Sequence, residues 1–153
     1  MLRDSGYGER VRFVVYRPAA AQFFLDGAVA PGAMLDGSHT ARDSFALGRP
    51  GDMGLACPQS ERTNPAGFRT FANGTWHLSS GELSLGQPGD LPFCGAFNGD
   101  GKADSGVFRD GTWFVTTRHD GVPDVRFTFG APSDLPVVLN VTGAGNATDR
   151  RRR

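Results

Sequence analysis

The sequence predicts an all-β protein made of repeated four-stranded units, and three observations carry that prediction. Residues 57–76 recur at an ungapped offset of 37 as residues 94–113, with Cys57/Cys94, Ala66/Ala103, Phe71/Phe108, Gly74/Gly111, Thr75/Thr112 and Trp76/Trp113 identical. A second anchor occurs three times: Leu47-Gly48-Arg49-Pro50-Gly51-Asp52, Leu85-Gly86-Gln87-Pro88-Gly89-Asp90 and Phe129-Gly130-Ala131-Pro132-Ser133-Asp134, at offsets of 38 and 44. A period of that size marks solenoids, propellers or arrays. Finally, no helical periodicity of useful length is present, and 22 Gly with 10 Pro oppose long helices.

The elements follow in order. Val11–Pro18 reads as a strand and turn, and Gln22–Leu25 as the next strand, with Phe23 where the later units carry Trp. The Gly-, Ala- and Pro-rich stretch from Gly27 to His39 reads as a loop. Asn73-Gly74 and Asp110-Gly111 lie between hydrophobic runs at equivalent repeat positions, and such dipeptides are the strongest short-range hairpin signal. The last unit contains strands at Leu91–Cys94, Gly106–Arg109, Thr112–Thr116 and Asp124–Phe129. Leu135–Val138 then reads as the first strand of a further unit, running to Val141. The Gly-x-Pro-x-Asp segments read as turns, with Pro fixing φ and Asp bonding its own backbone. Approximate units are 11–56, 57–93 and 94–138 within a repeat domain of residues 11–142. Residues 1–10 read as a flexible N-terminus and 143–153 as a disordered basic tail.

Four short antiparallel strands per unit is the composition of a propeller blade. Three blades are too few to close a ring, which typically takes about four to eight. The expectation is therefore a partial propeller, completed by dimerisation or belonging to a larger propeller. An unpaired inner edge would invite aggregation, which favours a homodimer of six blades.

Composition narrows the partners. The chain of 153 residues is one domain or part of one. Sixteen basic and sixteen acidic residues cancel, so no global field draws nucleic acid or a membrane surface. There is no apolar stretch of transmembrane length. Met1–Gly6 lacks the apolar core of a signal peptide, which leaves a cytoplasmic chain or one whose leader lies outside this sequence. Cys57 and Cys94 hold equivalent places one unit apart. They read either as a bridge formed in an oxidising compartment or as two small core residues where the next unit has Val138; a single pair favours the second reading.

One segment carries recognisable chemistry. In Ala96-Phe97-Asn98-Gly99-Asp100-Gly101-Lys102-Ala103-Asp104, oxygen side chains alternate with glycines, and Asn98, Asp100 and Asp104 are spaced to wrap a hard cation such as calcium. The competing reading is a glycine-rich turn whose carboxylates bond backbone amides. His39, His77 and His119 have no metal-ligand spacing, and His119 falls in the turn Arg118–Gly121, read as solvated. No Gly-x-Ser-x-Gly elbow exists. Trp76 and Trp113, each just after a hairpin turn, read as packing residues between units rather than ligand platforms. Asn73, Asn140 and Asn146 begin glycosylation sequons, and the hairpin at Asn73 accounts for the first by itself. Arg150–Arg153 reads as a solvated tail.

The run Gly95–Arg109, the Gly-Thr-Trp after it and the Phe-Gly-x-Pro-x-Asp-x-Pro-Val segment at residues 129–137 together resemble FG-GAP/VCBS-type repeats, related to the calcium-binding propeller blades of integrin α-chains. The resemblance covers residues 86–138 well and 11–140 loosely. It implies a calcium site at Asn98, Asp100, the Lys102 carbonyl and Asp104. Ala96 stands where the family has its first aspartate, and the upstream copy, with Gln59, Glu61, Thr63, Asn64, Pro65 and Gly67, has lost the pattern. It further implies a non-enzymatic extracellular or cell-surface module that binds carbohydrate or protein. Two alternatives stand beside it. One is a hydrolase, or an accessory domain of a secreted one, with its chemistry at Gly27–His39 and His119. The other is a decayed structural repeat without its own ligand.

Overall fold

A strand needs partner strands for its backbone groups and a covered face for its apolar side chains. The computed structural model, which describes residues 13–26, 40–57 and 67–139, meets both needs with three antiparallel sheets. Sheet I contains β1 (Val14–Arg17), β2 (Gln22–Leu25) and β3 (Asp43–Ala46), with a 3₁₀ turn at Pro18–Ala20. Sheet II contains β4 (Met53–Ala56), β5 (Phe68–Ala72), β6 (Thr75–Leu78) and β7 (Gly81–Ser84). Sheet III contains β8 (Leu91–Gly95), β9 (Asp104–Arg109), β10 (Thr112–Thr116) and β11 (Val125–Thr128). Within each sheet, chain neighbours are sheet neighbours. The protein is all-β, and no helix of the described residues is long and apolar enough to cross a membrane. The loop 27–39, the degenerate loop 58–66, the sequons at Asn140 and Asn146 and both chain ends lie outside the described residues.

Turn chemistry sets the boundaries. Asn73 and Gly74 have φ of +51° and +87°, and Asp110 and Gly111 of +49° and +85°, the left-handed pair that a type I′ hairpin requires. Between sheets the chain turns through the Gly-x-Pro-x-Asp anchors. The carboxylates of Asp52, Asp90 and Asp134 accept the N–H of Arg49, Gln87 and Ala131 at 2.9, 2.9 and 2.7 Å. The N–H of each aspartate returns to the carbonyl of the same residue. These turns place β4 with sheet II and the whole of β8 with sheet III.

Side chains alternate between two faces of each sheet. One face carries the cross-strand pairs Tyr16–Phe23, Phe71–Trp76 and Phe108–Trp113, and we call it the aromatic face. The pairs Val15–Phe24, Thr70–His77 and Val107–Phe114 lie on the reverse face. The aromatic face of sheet I covers the reverse face of sheet II. Phe23 and Phe45 meet Phe68 with ring centroids 5.0 and 5.1 Å apart. At Gly54, a Cβ would come within 2.5 Å of the Tyr16 ring, so only glycine lets that ring lie on β4. The same arrangement recurs once along the chain: Phe71, Trp76, Leu83 and Leu85 of sheet II pack on Val107, with Phe114 beside them.

Trp76 and Trp113 both pack as structural residues. Their Nε1–H groups donate to the carbonyls of Leu85 and Phe129 at 3.2 and 2.8 Å, tying each indole to the strand exit of its own sheet. Two expectations are corrected. Cys57 and Cys94 form a disulfide, with Cα atoms 5.5 Å apart, because β4 and β8 begin neighbouring sheets and run side by side. Residues 135–139 do not form a strand: they lack a β partner among the described residues, although Val138 packs on the Phe93–Phe108–Val115 cluster.

Two stability outcomes are expected from urea unfolding followed by tryptophan fluorescence. Replacing both cysteines by alanine opens a closed loop of 37 residues and lowers stability by about 3–4 kcal/mol. Trp76→Ala, at a fully buried position, lowers it by about 3–5 kcal/mol.

Candidate functional site

The β8–β9 loop begins where the disulfide and a buried cation hold sheets II and III together. Cys57, Cys94 and the fully buried Ala103 form one cluster. Arg69 of β5 lies on the aromatic face of sheet II, two residues before Phe71, and so points at sheet III. It is buried and donates to Ser105 Oγ and to the Ala103 carbonyl, the latter at 2.6 Å. Burial lowers its pKa, and Asp104 opposes that shift.

Within the loop, side-chain oxygens bond backbone amides, as the glycine-rich turn reading expects. Asn98 Oδ1 accepts the N–H of Asp100 at 3.2 Å, and Asp100 Oδ1 accepts the N–H of Lys102 at 2.9 Å. These are Asx turns made by glycine-flanked residues. Asn98, Asp100 and Lys102 are exposed, whereas Asp104 is fully buried at the start of β9. Asp104 Oδ2 accepts the Phe97 N–H across the loop at 2.9 Å. Its Oδ1 is buried without a hydrogen bond, and the His119 ring stands beside it, with Nε2 3.4 Å away. His119 lies exposed in its turn, as the sequence predicts, with φ of +58°, and its ring reaches back to Asp104.

The charges explain the titration. Desolvation raises the Asp104 pKa above the usual carboxylate value, and Asp100 adds to the rise. The Phe97 N–H, His119 and Arg69 oppose it. The Asp100 pKa is lowered, first by the Lys102 N–H. Asn98, Asp100, the Lys102 carbonyl and Asp104 are the oxygen donors that the loop offers. The set remains short of the six to eight oxygens calcium prefers, since Ala96 supplies none. Among the described residues, no three His, Cys, Asp or Glu side chains are grouped closely enough to hold a metal.

Two further polar networks were not anticipated. Asp52 Oδ2 accepts from Thr70 Oγ1 at 2.9 Å and lies 3.1 Å from His77 Nδ1. A hydrolytic triad would aim His77 Nε2 at a nucleophile; here it faces Glu82 Oε2 at 3.2 Å. Asp90, buried, takes a bidentate pair from Arg109 at 2.6 and 2.7 Å, which raises the Arg109 pKa. This pair borders a cleft of about 270 Å³ lined by Gln87, Pro88, Asp110 and Pro132 among others. The hydrolase reading placed chemistry at His119, which meets only the loop carboxylate, and at residues 27–39, which lie outside the described residues. Arg69 had one legible signal: it shares a period-2 face with Phe71, an inward-pointing charge in an otherwise packing strand.

A pH titration tests the buried carboxylate. A raised folded-state pKa means that Asp104 stabilises the fold below the ordinary aspartate range and loses that contribution as pH rises to its folded value. In metal-free buffer, the Asp104→Asn variant should gain stability relative to wild type as pH climbs from about 4 to 7. A difference that does not vary with pH would contradict the assigned burial. Compared with protein-family models, curated proteins and solved structures, the chain matches none.

Proposed function

We propose that this chain is a non-enzymatic binding module of the FG-GAP/VCBS repeat type, its three sheets acting as propeller-type blades in an extracellular or cell-surface setting. The observation that carries the reading is Asp104 Oδ1, a fully buried carboxylate oxygen without a hydrogen-bond donor, at the end of a loop that resembles the family's calcium loop. A buried carboxylate calls for a counter-charge. Calcium held by Asn98, Asp100, the Lys102 carbonyl and Asp104, with water in place of the absent first carboxylate, would supply one. The disulfide supports an oxidising compartment, where calcium is millimolar and a weak site is occupied. The ligand is a carbohydrate or a protein. The cleft beside Asp90, Arg109 and Asp110 has the paired polar groups that hydroxyls or a polypeptide backbone would use.

Thermal unfolding tests the metal. With two carboxylates and one amide, the dissociation constant is expected near 10⁻⁴ to 10⁻³ M or weaker, on the order of extracellular calcium modules. In 5 mM calcium, wild type should melt a few degrees above the chelated protein; at ten times the dissociation constant the stabilisation is about 1.4 kcal/mol. Asp100→Ala and Asp104→Asn should abolish the shift, and Ala96→Asp should enlarge it. No calcium-dependent shift in wild type would remove the metal reading. Binding on a glycan array that weakens in Arg109→Ala would identify carbohydrate as the ligand; an array without hits turns the search to proteins.

A further inference from the structure

The two ends of the sheet stack are complementary, and we propose that two copies of this chain close head to tail into one six-sheet ring. This goes beyond the binding role and does not depend on calcium. Four observations within a single chain carry it.

The first is a spare strand and a vacant place. The first two Gly-x-Pro-x-Asp turns each lead into the inner strand of a sheet, β4 and β8. The third, ending at Asp134, leads into residues 135–139, which have no β partner among the described residues. Those residues nonetheless lie where an inner strand would. Val138 packs against sheet III and would touch a Cβ at Gly95 of β8, as Cys94 of β8 lies against Cys57. Leu135, Val137 and Leu139 are exposed. Conversely β1, the counterpart of β5 and β9, has no inner strand beside it among the described residues.

The second and third observations are the two open faces. The aromatic face of sheet III repeats that of sheet II, with Phe127 and Phe129 where sheet II has Leu83 and Leu85. Leu83 and Leu85 are 8% and 4% exposed, whereas Phe127 and Phe129 are 47% and 72% exposed. The reverse face of sheet I repeats that of sheet III. Val15 stands in the place of Val107 and is 61% exposed against 1%. Each open face is thus the equivalent of one half of the contact already made between sheets II and III. Each also lacks the half that the other supplies.

The fourth is charge. Arg109 follows Phe108 in β9, lies over the Phe114 ring at 4.8 Å and binds Asp90. Arg17 follows Tyr16 in β1 and lies over the equivalent ring, Phe24, at 4.4 Å. It has no acidic partner among the described residues. Asp134 is the anchor aspartate of the third turn and is exposed, its carboxylate bound among the described residues to the Ala131 N–H alone. Asp134 of one copy therefore meets Arg17 of the second copy as Asp90 meets Arg109. The register follows from the pairing of Met53 with Phe71 and Leu91 with Phe108: Leu135 pairs with Tyr16 of the second copy, and Val137 with Val14. One twofold axis makes both junctions at once, a closed symmetric assembly.

Sedimentation equilibrium on the full chain tests this. Wild type at about 10 µM should have twice the mass of one chain. Phe127→Asp, Val15→Asp and Val137→Asp change exposed residues, so each monomer should keep its circular dichroism. Each should raise the dimer dissociation constant by roughly 30- to 1000-fold, the range for losing an interface hot spot. Arg17→Asp and Asp134→Arg should each weaken the dimer at least tenfold, and the chain carrying both should dimerise at least tenfold more tightly than either alone. A monomeric wild type at 100 µM, open-ended polymers, a dimer indifferent to all three aspartate substitutions, or no recovery in the charge-swapped chain would each overturn the proposal.

Discussion

The structure depends on a packing constraint: a sheet with apolar groups on both faces needs two neighbours, and within the described residues only sheet II, between sheets I and III, has them. An antiparallel sheet ordinarily alternates apolar and polar residues and leaves one face in water. In sheets I and III both faces carry bulky apolar groups at the centre. Sheet III has Phe108 and Trp113 on one side and Val107 and Phe114 on the other. A sheet of this kind must be covered twice, and small sheets of identical plan can do that only by stacking. Each contact then repeats the last, and stability becomes largely a property of the junctions between neighbours. Trp76 shows how much one junction concentrates. It is fully buried, meets Phe71 at 5.0 Å between ring centroids and is fixed by its bond to Leu85.

The polar side chains at these junctions are there because the backbone must change sheets. Each change of sheet leaves a turn whose amides need acceptors, and Asp52, Asp90 and Asp134 provide them. Once such an aspartate is buried, its remaining lone pairs need donors as well. Sheet II answers with Thr70 and His77, and sheet III with Arg109. Different residues thus solve the same local problem, which is why the repeat is visible in its glycines, prolines and aspartates but not in their partners. Arg69 follows the same logic. The Ala103 carbonyl and Ser105 hydroxyl are capped by a side chain from the neighbouring sheet.

How much of this was legible in the sequence follows from the range of each interaction. Asn73-Gly74 and Asp110-Gly111 announce their hairpins because a type I′ turn is decided by two residues. The strands of sheet III were legible within one or two residues because the alternation on both sides of Asp110-Gly111 is undisturbed. The disulfide was not, since equivalent positions in two repeats do not show whether the inner strands are adjacent or separated. The contact of His119 was not legible for the same reason: its turn is solvated, as its neighbours indicate, and only the fold brings Asp104 beside its ring. Residues 135–139 are the instructive case. Their pattern is that of an inner strand, and one face does pack, but no strand among the described residues pairs with them.

The loop at Asn98–Asp104 shows how one copy of a repeat can hold a charged group that its turn does not need. Its outer residues satisfy each other through backbone bonds and would hold their shape as a plain turn. Asp104 cannot be explained in that way. A turn needs only the one carboxylate oxygen that Phe97 uses, and asparagine would provide it without placing a charge beside Ala103. The second oxygen sits in a region where desolvation works against ionisation, with Arg69 behind it and His119 in front. Such an arrangement is costly as scaffolding and sensible as an electrostatic seat. On the proposed calcium reading, a cation approaching from the exposed side would meet a carboxylate already fixed by Phe97, so little reorganisation would precede binding.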